Sequence, residues 1–297
     1  MHKFIILEKH TVPKGDYHIR LQEYAGAIFE KLQTRSAVKK AIAKNTILIN
    51  QQIASTGDWI KSGQLIELIA LETSPKKIFQ LQLEVVFEDE DMAIINKPAG
   101  FPTNGNYYKT IENALPFNLK TTTKKDALNF PKPVHRLDTP TSGILLIAKT
   151  KTAQIGLHQQ FENKNIQKTY HAVVVGLLPQ NGRIDIEIKE QEALTLFKNI
   201  QQIPALQNEY LTLVQLQPKT GRTHQLRIHL SSLGNPIVGD KLYAPKNVML
   251  HKGLFLCATK IEFSHPITKN NMEIEIKIPQ KFNTYLKREH NRFLKYQ

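Results

Sequence analysis

The sequence predicts an α+β fold: a large C-terminal domain around a mixed, largely antiparallel sheet, preceded by a small α+β domain. Three observations carry this reading. Strand-like and helix-like segments follow one another without the regular strand–helix–strand repeat of a parallel sheet. The composition shifts between residues 71 and 77, where Thr73-Ser74-Pro75-Lys76-Lys77 reads as a linker. The chain has 297 residues, enough for two domains and a sizeable core. The expected boundaries are a first domain over 1–72, a linker over 73–80 and a second domain over 81–297.

In the first domain, Leu21, Tyr24, Ala25, Ile28, Phe29 and Leu32 repeat with a helical period across residues 20–32. A second short helix starts at Thr34 or Arg35 and runs to Ala43. Its apolar face is Ala37, Val38, Ala41 and Ile42, with Lys39, Lys40 and Lys44 largely on the other side. Strand-like pieces follow at 46–49, 52–54 and 65–69, with Asn50-Gln51 as the turn between the first two.

In the second domain, 85–87 and 92–95 read as strands joined by an acidic turn. Residues 143–148 are continuously apolar, as in a strand covered on both faces. Residues 152–162 read as a helix, and 169–178, 210–217 and 254–263 as further strands. Residues 224–233 form a helix candidate with Leu226, Leu230 and Leu233 on one side. No internal repeat or low-complexity tract is visible.

Forty Lys and Arg against 26 Asp and Glu give a formal net charge of +14. Up to residue 75 there are 10 basic and 7 acidic residues, and 30 and 19 in the remainder, so the charge is not held in one tail. Such an excess suits a polyanionic partner through phosphate contacts and counterion release. A basic protein that binds no polyanion has the same count. A membrane surface would ask for a basic amphipathic helix or a concentrated basic block, and neither is visible. No apolar run approaches the roughly 18–20 residues needed to cross a bilayer. The apolar stretch near Met1 is too short for a secretory signal. Cys257 is the single cysteine, which excludes an internal disulfide and a cysteine-built zinc or redox site. A reducing cytoplasm is the expected compartment.

Three segments carry candidate chemistry. In Val134-His135-Arg136-Leu137-Asp138-Thr139-Pro140-Thr141-Ser142-Gly143, an aspartate stands in a turn-rich stretch before a buried strand. A carboxylate there can be held rigidly by the core behind it. A structural aspartate that merely caps a turn reads the same way. In Thr220-Gly221-Arg222-Thr223-His224-Gln225-Leu226-Arg227-Ile228-His229, two arginines and two histidines share a short span. One arginine could meet a phosphate while the other turns inward to a carboxylate. The histidines are five apart, whereas helical metal pairs want three or four, so no metal is expected. In Lys168-Thr169-Tyr170, an aromatic beside a basic residue suits base stacking, as it suits an ordinary core tyrosine.

Taken in order, these motifs resemble the RluA family of pseudouridine synthases. The series starts with Asn96-Lys97-Pro98-Ala99-Gly100 and continues through residues 135–143, 168–170 and 220–229. Gly234-Asn235-Pro236-Ile237-Val238-Gly239-Asp240, Tyr243, His251 and Ser264-His265-Pro266 complete it, so the resemblance spans about residues 83–267. It implies a catalytic domain of pseudouridine synthase type and an isomerase acting on ribosomal or transfer RNA. Asp138 would be the essential carboxylate. Arg136 would help displace and hold the flipped-out nucleotide, and Tyr170 would pack on the target base. Arg227 would pair with Asp138 and keep it ionised. Thr139-Pro140 departs from the Lys-Asp often found after the aspartate, which touches substrate contacts more than chemistry. Glu162 and Asp240 read as helix-end and turn residues.

The first domain resembles the alpha-L RNA-binding domain of ribosomal small-subunit protein four. Arg20-Leu21, Thr34-Arg35-Ser36-Ala37, Ile47-Leu48-Ile49-Asn50 and Lys61-Ser62-Gly63 carry the match. Asn45 replaces the usual glycine before the first strand, Asn50-Gln51 the usual Asn-Gly turn and Gly63-Gln64 the usual Gly-Asp. This resemblance implies RNA contacts from Arg35, Ser36, Lys39 and Lys40, with Arg222 adding a phosphate contact from the second domain.

Isomerising uridine needs no net oxidation and no group donor, so no cofactor is expected. The target must leave its stack, at a cost of a few kcal/mol. Attack on the sugar, attack on the base and removal of a sugar proton are all compatible with one carboxylate. Glycoside hydrolysis would usually ask for two. No protein partner is implied, and a monomer is expected. The competing reading is a non-catalytic RNA-binding or ribosome-associated protein, which would be free to lose Asp138, Tyr170 or Arg227.

Overall fold

The apolar pattern resolves into three buried clusters, one in a first unit, Met1–Lys76, and two in a second, Lys77–Gln297. The structure is a computed structural model that describes residues 4–71, 77–245 and 253–296. Residues 73–76 of the expected linker and His251 lie outside the described residues.

The first unit runs β1 (Phe4–Thr11), α1 (Leu21–Ile28), α2 (Arg35–Ala43), β2 (Ile47–Ile49), β3 (Gln52–Ile53) and β4 (Leu65–Leu71). Its four strands pair antiparallel in the order β1-β4-β2-β3. Thr34 caps α2 by accepting the Ala37 N–H at 3.1 Å. Leu21, Ala25, Phe29, Val38, Ala41 and Ile42 fill the core beneath the sheet. Asn50 and Gln51 both take positive φ, the backbone of a two-residue hairpin whose twist suits the strands. Asn45 is left-handed too, with φ of 56°. The β1 strand was not anticipated. Its first four residues are exposed, so it shows no buried periodicity.

The second unit contains β5 (Glu84–Glu88), β6 (Met92–Lys97), α3 (Ile111–Asn118), β7 (Ala127–Pro133), β8 (Ser142–Thr150), α4 (Lys151–Glu162) and β9 (Gln167–Val175). It continues with β10 (Asn181–Ile184), β11 (Thr195–Ala205), β12 (Glu209–Pro218), α5 (Gln225–Ser232), β13 (Leu256–Ser264), β14 (Asn271–Glu275) and α6 (Gln280–Tyr296). The sheet path is β10-β11-β12-β9-β13-β8-β6-β5, with β14 beside β13 and β7 beside β8. All pairs are antiparallel except β13 with β8, so the sheet is mixed as expected. At that parallel joint Gly143 faces Ala258 with φ of +116°, and a Cβ there would run into the Ala258 backbone. The close approach this glycine permits is therefore strand to strand.

Alternate residues of β6 and β8 enter different clusters. Ile95, Leu145 and Ile147 join the one covered by α3, α5 and α6, and Ile94, Ile144 and Leu146 the one covered by α4. This two-sided burial is why residues 143–148 read as one apolar run. The strands β7, β10, β11 and β14 and the helices α3 and α6 were not anticipated. In α6 only Phe282, Tyr285 and Leu286, with Glu289, turn inward, so its polar composition hides it.

Candidate active site

Asp138 stands in the loop between β7 and β8, and its backbone is clamped from two sides. The Lys97 ammonium, fully buried at the end of β6, donates to the carbonyls of Thr141 at 2.8 Å, Pro98 at 3.1 Å and Thr139 at 3.4 Å. Burial lowers its pKa to about 8, and the nearby Asp138 charge works the other way. The Gly100 N–H donates to the Thr139 carbonyl at 2.7 Å. On the other side the Thr103 hydroxyl donates to the Leu137 carbonyl at 2.9 Å and accepts the Leu137 N–H at 3.2 Å. The Asn96-Lys97-Pro98-Ala99-Gly100 motif is thus the support of the loop.

His135 is held as an acceptor, taking the Leu146 N–H on Nε2 at 3.0 Å. Burial pushes its pKa down to about 3, and the neighbouring Lys168 charge adds to that, so the ring is neutral at working pH. Arg136 is exposed, and its side chain makes no hydrogen bond or ion pair among the described residues.

Two groups face the Asp138 carboxylate, and each is held from behind. Arg227 Nη1 lies 3.7 Å from one oxygen and His224 Nε2 lies 3.7 Å from the other. The close partner of Arg227 is Asp240, which accepts from Nε and Nη2 at 2.7 Å each. Arg227 is expected from the sequence to pair with Asp138; its fork is engaged by Asp240, and Nη1 is left to face Asp138. Burial works against the charges of both partners, but their mutual pairing outweighs it, raising the Arg227 pKa and lowering that of Asp240. Asp240 also accepts the N–H groups of Leu242 at 3.0 Å and Tyr243 at 3.2 Å. It is a turn residue, as read, and in addition the anchor of Arg227. The Tyr243 hydroxyl meets His224 Nδ1 at 2.8 Å, and the Tyr243 ring lies 5.0 Å from the Arg227 guanidinium carbon.

His224 takes φ of 58° just before α5, so the helical spacing applied to residues 222–229 does not hold at its start. His229 turns away into the core, bonded to the Thr195 hydroxyl at 3.0 Å and near the Ile186 carbonyl at 2.9 Å. Among the described residues no group of three His, Cys, Asp or Glu is placed to hold a metal ion.

Tyr170, on β9, is 9% exposed. Burial and the Asp138 charge raise its pKa, so the phenol stays neutral. Asp138, Tyr170, Arg136, Arg227, Arg222 and His224 all line one cavity of about 350 Å³. Arg222 sits at its edge, donating from Nε to the Glu192 carbonyl at 3.0 Å. The Thr141 hydroxyl, also on the lining, is buried without a hydrogen-bond partner among the described residues. His224, Asp240 and Tyr243 were not assigned to the site from sequence, although all three belong to the ordered motifs. Ser264-His265-Pro266 serves elsewhere: His265 Nε2 binds Asp89 at 2.7 Å. Arg35, Ser36, Lys39 and Lys40 are exposed on α2, with Arg35 paired to Glu23 at 3.0 Å.

Comparison with known proteins places the chain in one family. The family described as RNA pseudouridylate synthase matches residues 91–232. Ribosomal large subunit pseudouridine synthase C of Rickettsia felis is 32% identical over 293 residues, covering 88% of this chain and 93% of the relative. An uncharacterized RNA pseudouridine synthase of Aquifex aeolicus is 30% identical, covering 84% of this chain and 88% of the relative. Among solved structures, human RNA pseudouridylate synthase domain containing 4 superposes with a TM-score of 0.56 at 25% identity, covering 69% of this chain and 92% of that one. The chain belongs to the RluA-type family of RNA pseudouridine synthases.

Proposed function

We propose that this pocket isomerises uridine to pseudouridine in ribosomal large-subunit RNA, with Asp138 as the catalytic carboxylate. The observation that carries the reading is the convergence of Asp138, Tyr170 and Arg227 on one cavity, with Arg227 locked by Asp240. The choice of RNA rests on relatives named as ribosomal large subunit synthases.

In the reaction the bond from ribose C1′ to uracil N1 breaks and a bond from C1′ to C5 forms. The C5 proton leaves and N1 gains a proton, so no electrons are exchanged with a second molecule. The target base enters the cavity out of its stack, and the neutral Tyr170 ring replaces part of the lost stacking. Arg136, free at the cavity wall, fills the place the base vacates. Arg227 and His224 fix the direction of the carboxylate, and preorganised polar groups of this kind act without reorganising during the reaction. Burial of the cavity keeps water from the detached intermediates. On the first unit, Arg35, Ser36, Lys39 and Lys40 contact RNA, and Arg222 takes a phosphate at the edge of the cavity. The enzyme works as a monomer in the cytoplasm, where its lone buried Cys257 needs no oxidising compartment. No helix among the described residues is long and apolar enough to cross a membrane.

The test is to incubate the protein with RNA from cells that lack its gene and to map pseudouridine. Wild type restores modification, and Asp138→Asn and Asp138→Ala do not. Turnover retained by both variants removes Asp138 from the chemistry. A non-catalytic RNA binder would leave every uridine unchanged.

A further inference from the structure

Lys168 is a half-buried cation of the second unit, with no anion to answer it among the described residues. It lies on β9 two residues before Tyr170, and the pleat sends both side chains to the same face. Its ammonium makes no hydrogen bond or ion pair among the described residues and lies over the Phe161 ring, 5.8 Å from the centroid. Burial lowers its pKa, with no carboxylate offsetting the shift. The adjacent His135 ring is neutral and supplies no counter-charge. A partly desolvated cation without a partner is destabilising, and a bound anion removes that penalty.

The position of Lys168 says which anion. The catalytic cavity shares Phe161, Lys168, Thr220 and Arg222 with a second cavity of about 470 Å³. The second cavity adds the exposed Lys164 and Lys219, and Glu162 is the one carboxylate among its lining residues. Four cations thus face one acid along a groove that leads away from Asp138. A positively charged groove with an aromatic ring is how proteins track single-stranded nucleic acid.

We infer that Lys168 binds a backbone phosphate beside the target nucleotide, and that the second cavity carries the neighbouring nucleotides of the same strand. This rests on the first cavity being the seat of the target uridine. Lys164, Lys219 and Arg222 continue the phosphate track, while Lys168 sets its register relative to Asp138.

The experiment uses oligouridylate pentamers, each with one neutral methylphosphonate linkage, and measures their binding to the full-length protein. One linkage position weakens binding to wild type by about tenfold, the loss expected for one charge-assisted contact. Lys168→Met, which keeps an apolar stem in place, becomes insensitive at that position, and Lys168→Arg retains the sensitivity. The slope of log affinity against log salt falls by about 0.7 in Lys168→Met. The exposed pair Lys164→Gln and Lys219→Gln lowers the slope as well, without touching Lys168. An equal loss at every linkage, or a Lys168→Met protein with wild-type slope and sensitivity, overturns the inference. A site for acidic peptides would show as binding of oligoglutamate lost in Lys168→Met with no linkage preference in RNA, which also overturns it. Turnover on RNA from cells lacking the gene separates the two readings. Pseudouridine formed by a wild type that shows no linkage preference rejects the phosphate site alone. Linkage-specific binding without pseudouridine rejects the reaction and leaves the phosphate site standing.

Discussion

On α2 of the first unit, Arg35, Lys39 and Lys40 stand exposed, and the ion pair of Arg35 with Glu23 joins two solvated side chains. In the second unit Arg227 is 6% exposed and Asp240 1% exposed, with two hydrogen bonds between them. The same residue types therefore do different physical work. Exposed charges interact weakly and are screened by salt, so they suit an electrostatic footprint for RNA. Buried charges interact strongly and tolerate no missing partner, so they suit a site whose geometry must be exact to fractions of an ångström. Substitutions in the second region should change chemistry and stability, and those in the first should change affinity and its salt dependence.

The sharpest way to break this contrast is Asp138→Asn, which keeps the shape of the side chain and removes its charge. Turnover should fall on the order of 10⁴-fold or more while the melting temperature barely moves. Next in size is Asp240→Asn, which strands Arg227 without its anion. Stability should drop by roughly 3–5 kcal/mol in denaturant titration, and turnover with it. Coupling it to Arg227→Met should recover much of the stability but none of the turnover, because a buried pair can be replaced by apolar volume whereas the group facing Asp138 cannot. Full activity in that double variant would show that the Arg227 pair is structural.

His135 tests burial through pH. Its folded pKa, about 3, lies below the ordinary histidine value of 6.5. Between those values the unfolded chain binds a proton that the folded chain refuses, so stability is fully present above pH 6.5 and is lost as the pH falls toward 3. The slope should approach about 1.4 kcal/mol per pH unit in that window. His135→Gln, which still offers an acceptor to the Leu146 N–H, should lack this component when the two proteins are unfolded at pH 7 and pH 4.5. Smallest in effect, and informative for that reason, is the double change Lys39→Gln and Lys40→Gln. Stability should stay within about 0.5 kcal/mol, while KM for RNA rises and the salt slope falls by about 1 to 2. A stability loss of several kcal/mol would mean that these lysines are part of the fold.

Elements with strong apolar periodicity were legible in the chain itself. Strands β6, β8, β9 and β12 and helices α1, α2 and α4 lie within a few residues of their expected positions. Those missed have weaker signals: β1 and β7 show little burial, and α6 hides three core side chains among charges. At the site the same division holds. Asp138, Tyr170, Arg136 and Arg227 were legible because each sits in a motif with a recognisable order. Their partners were not. Asp240 looked like a turn aspartate because it is one, and only its two bonds to Arg227 give it a second role.

By itself the sequence determined the fold class and the order of the motifs, and it singled out Asp138, Arg136, Tyr170 and Arg227, because periodicity and residue chemistry are local properties. Only the tertiary structure decided which charge answers which. Asp138 and Arg227 stand 3.7 Å apart, while Asp240 holds Arg227 at 2.7 Å, and Lys168 is left without an anion among the described residues. Those pairings depend on where β8, β9 and α5 converge, and electrostatic energy depends on distance and burial rather than on position in the chain.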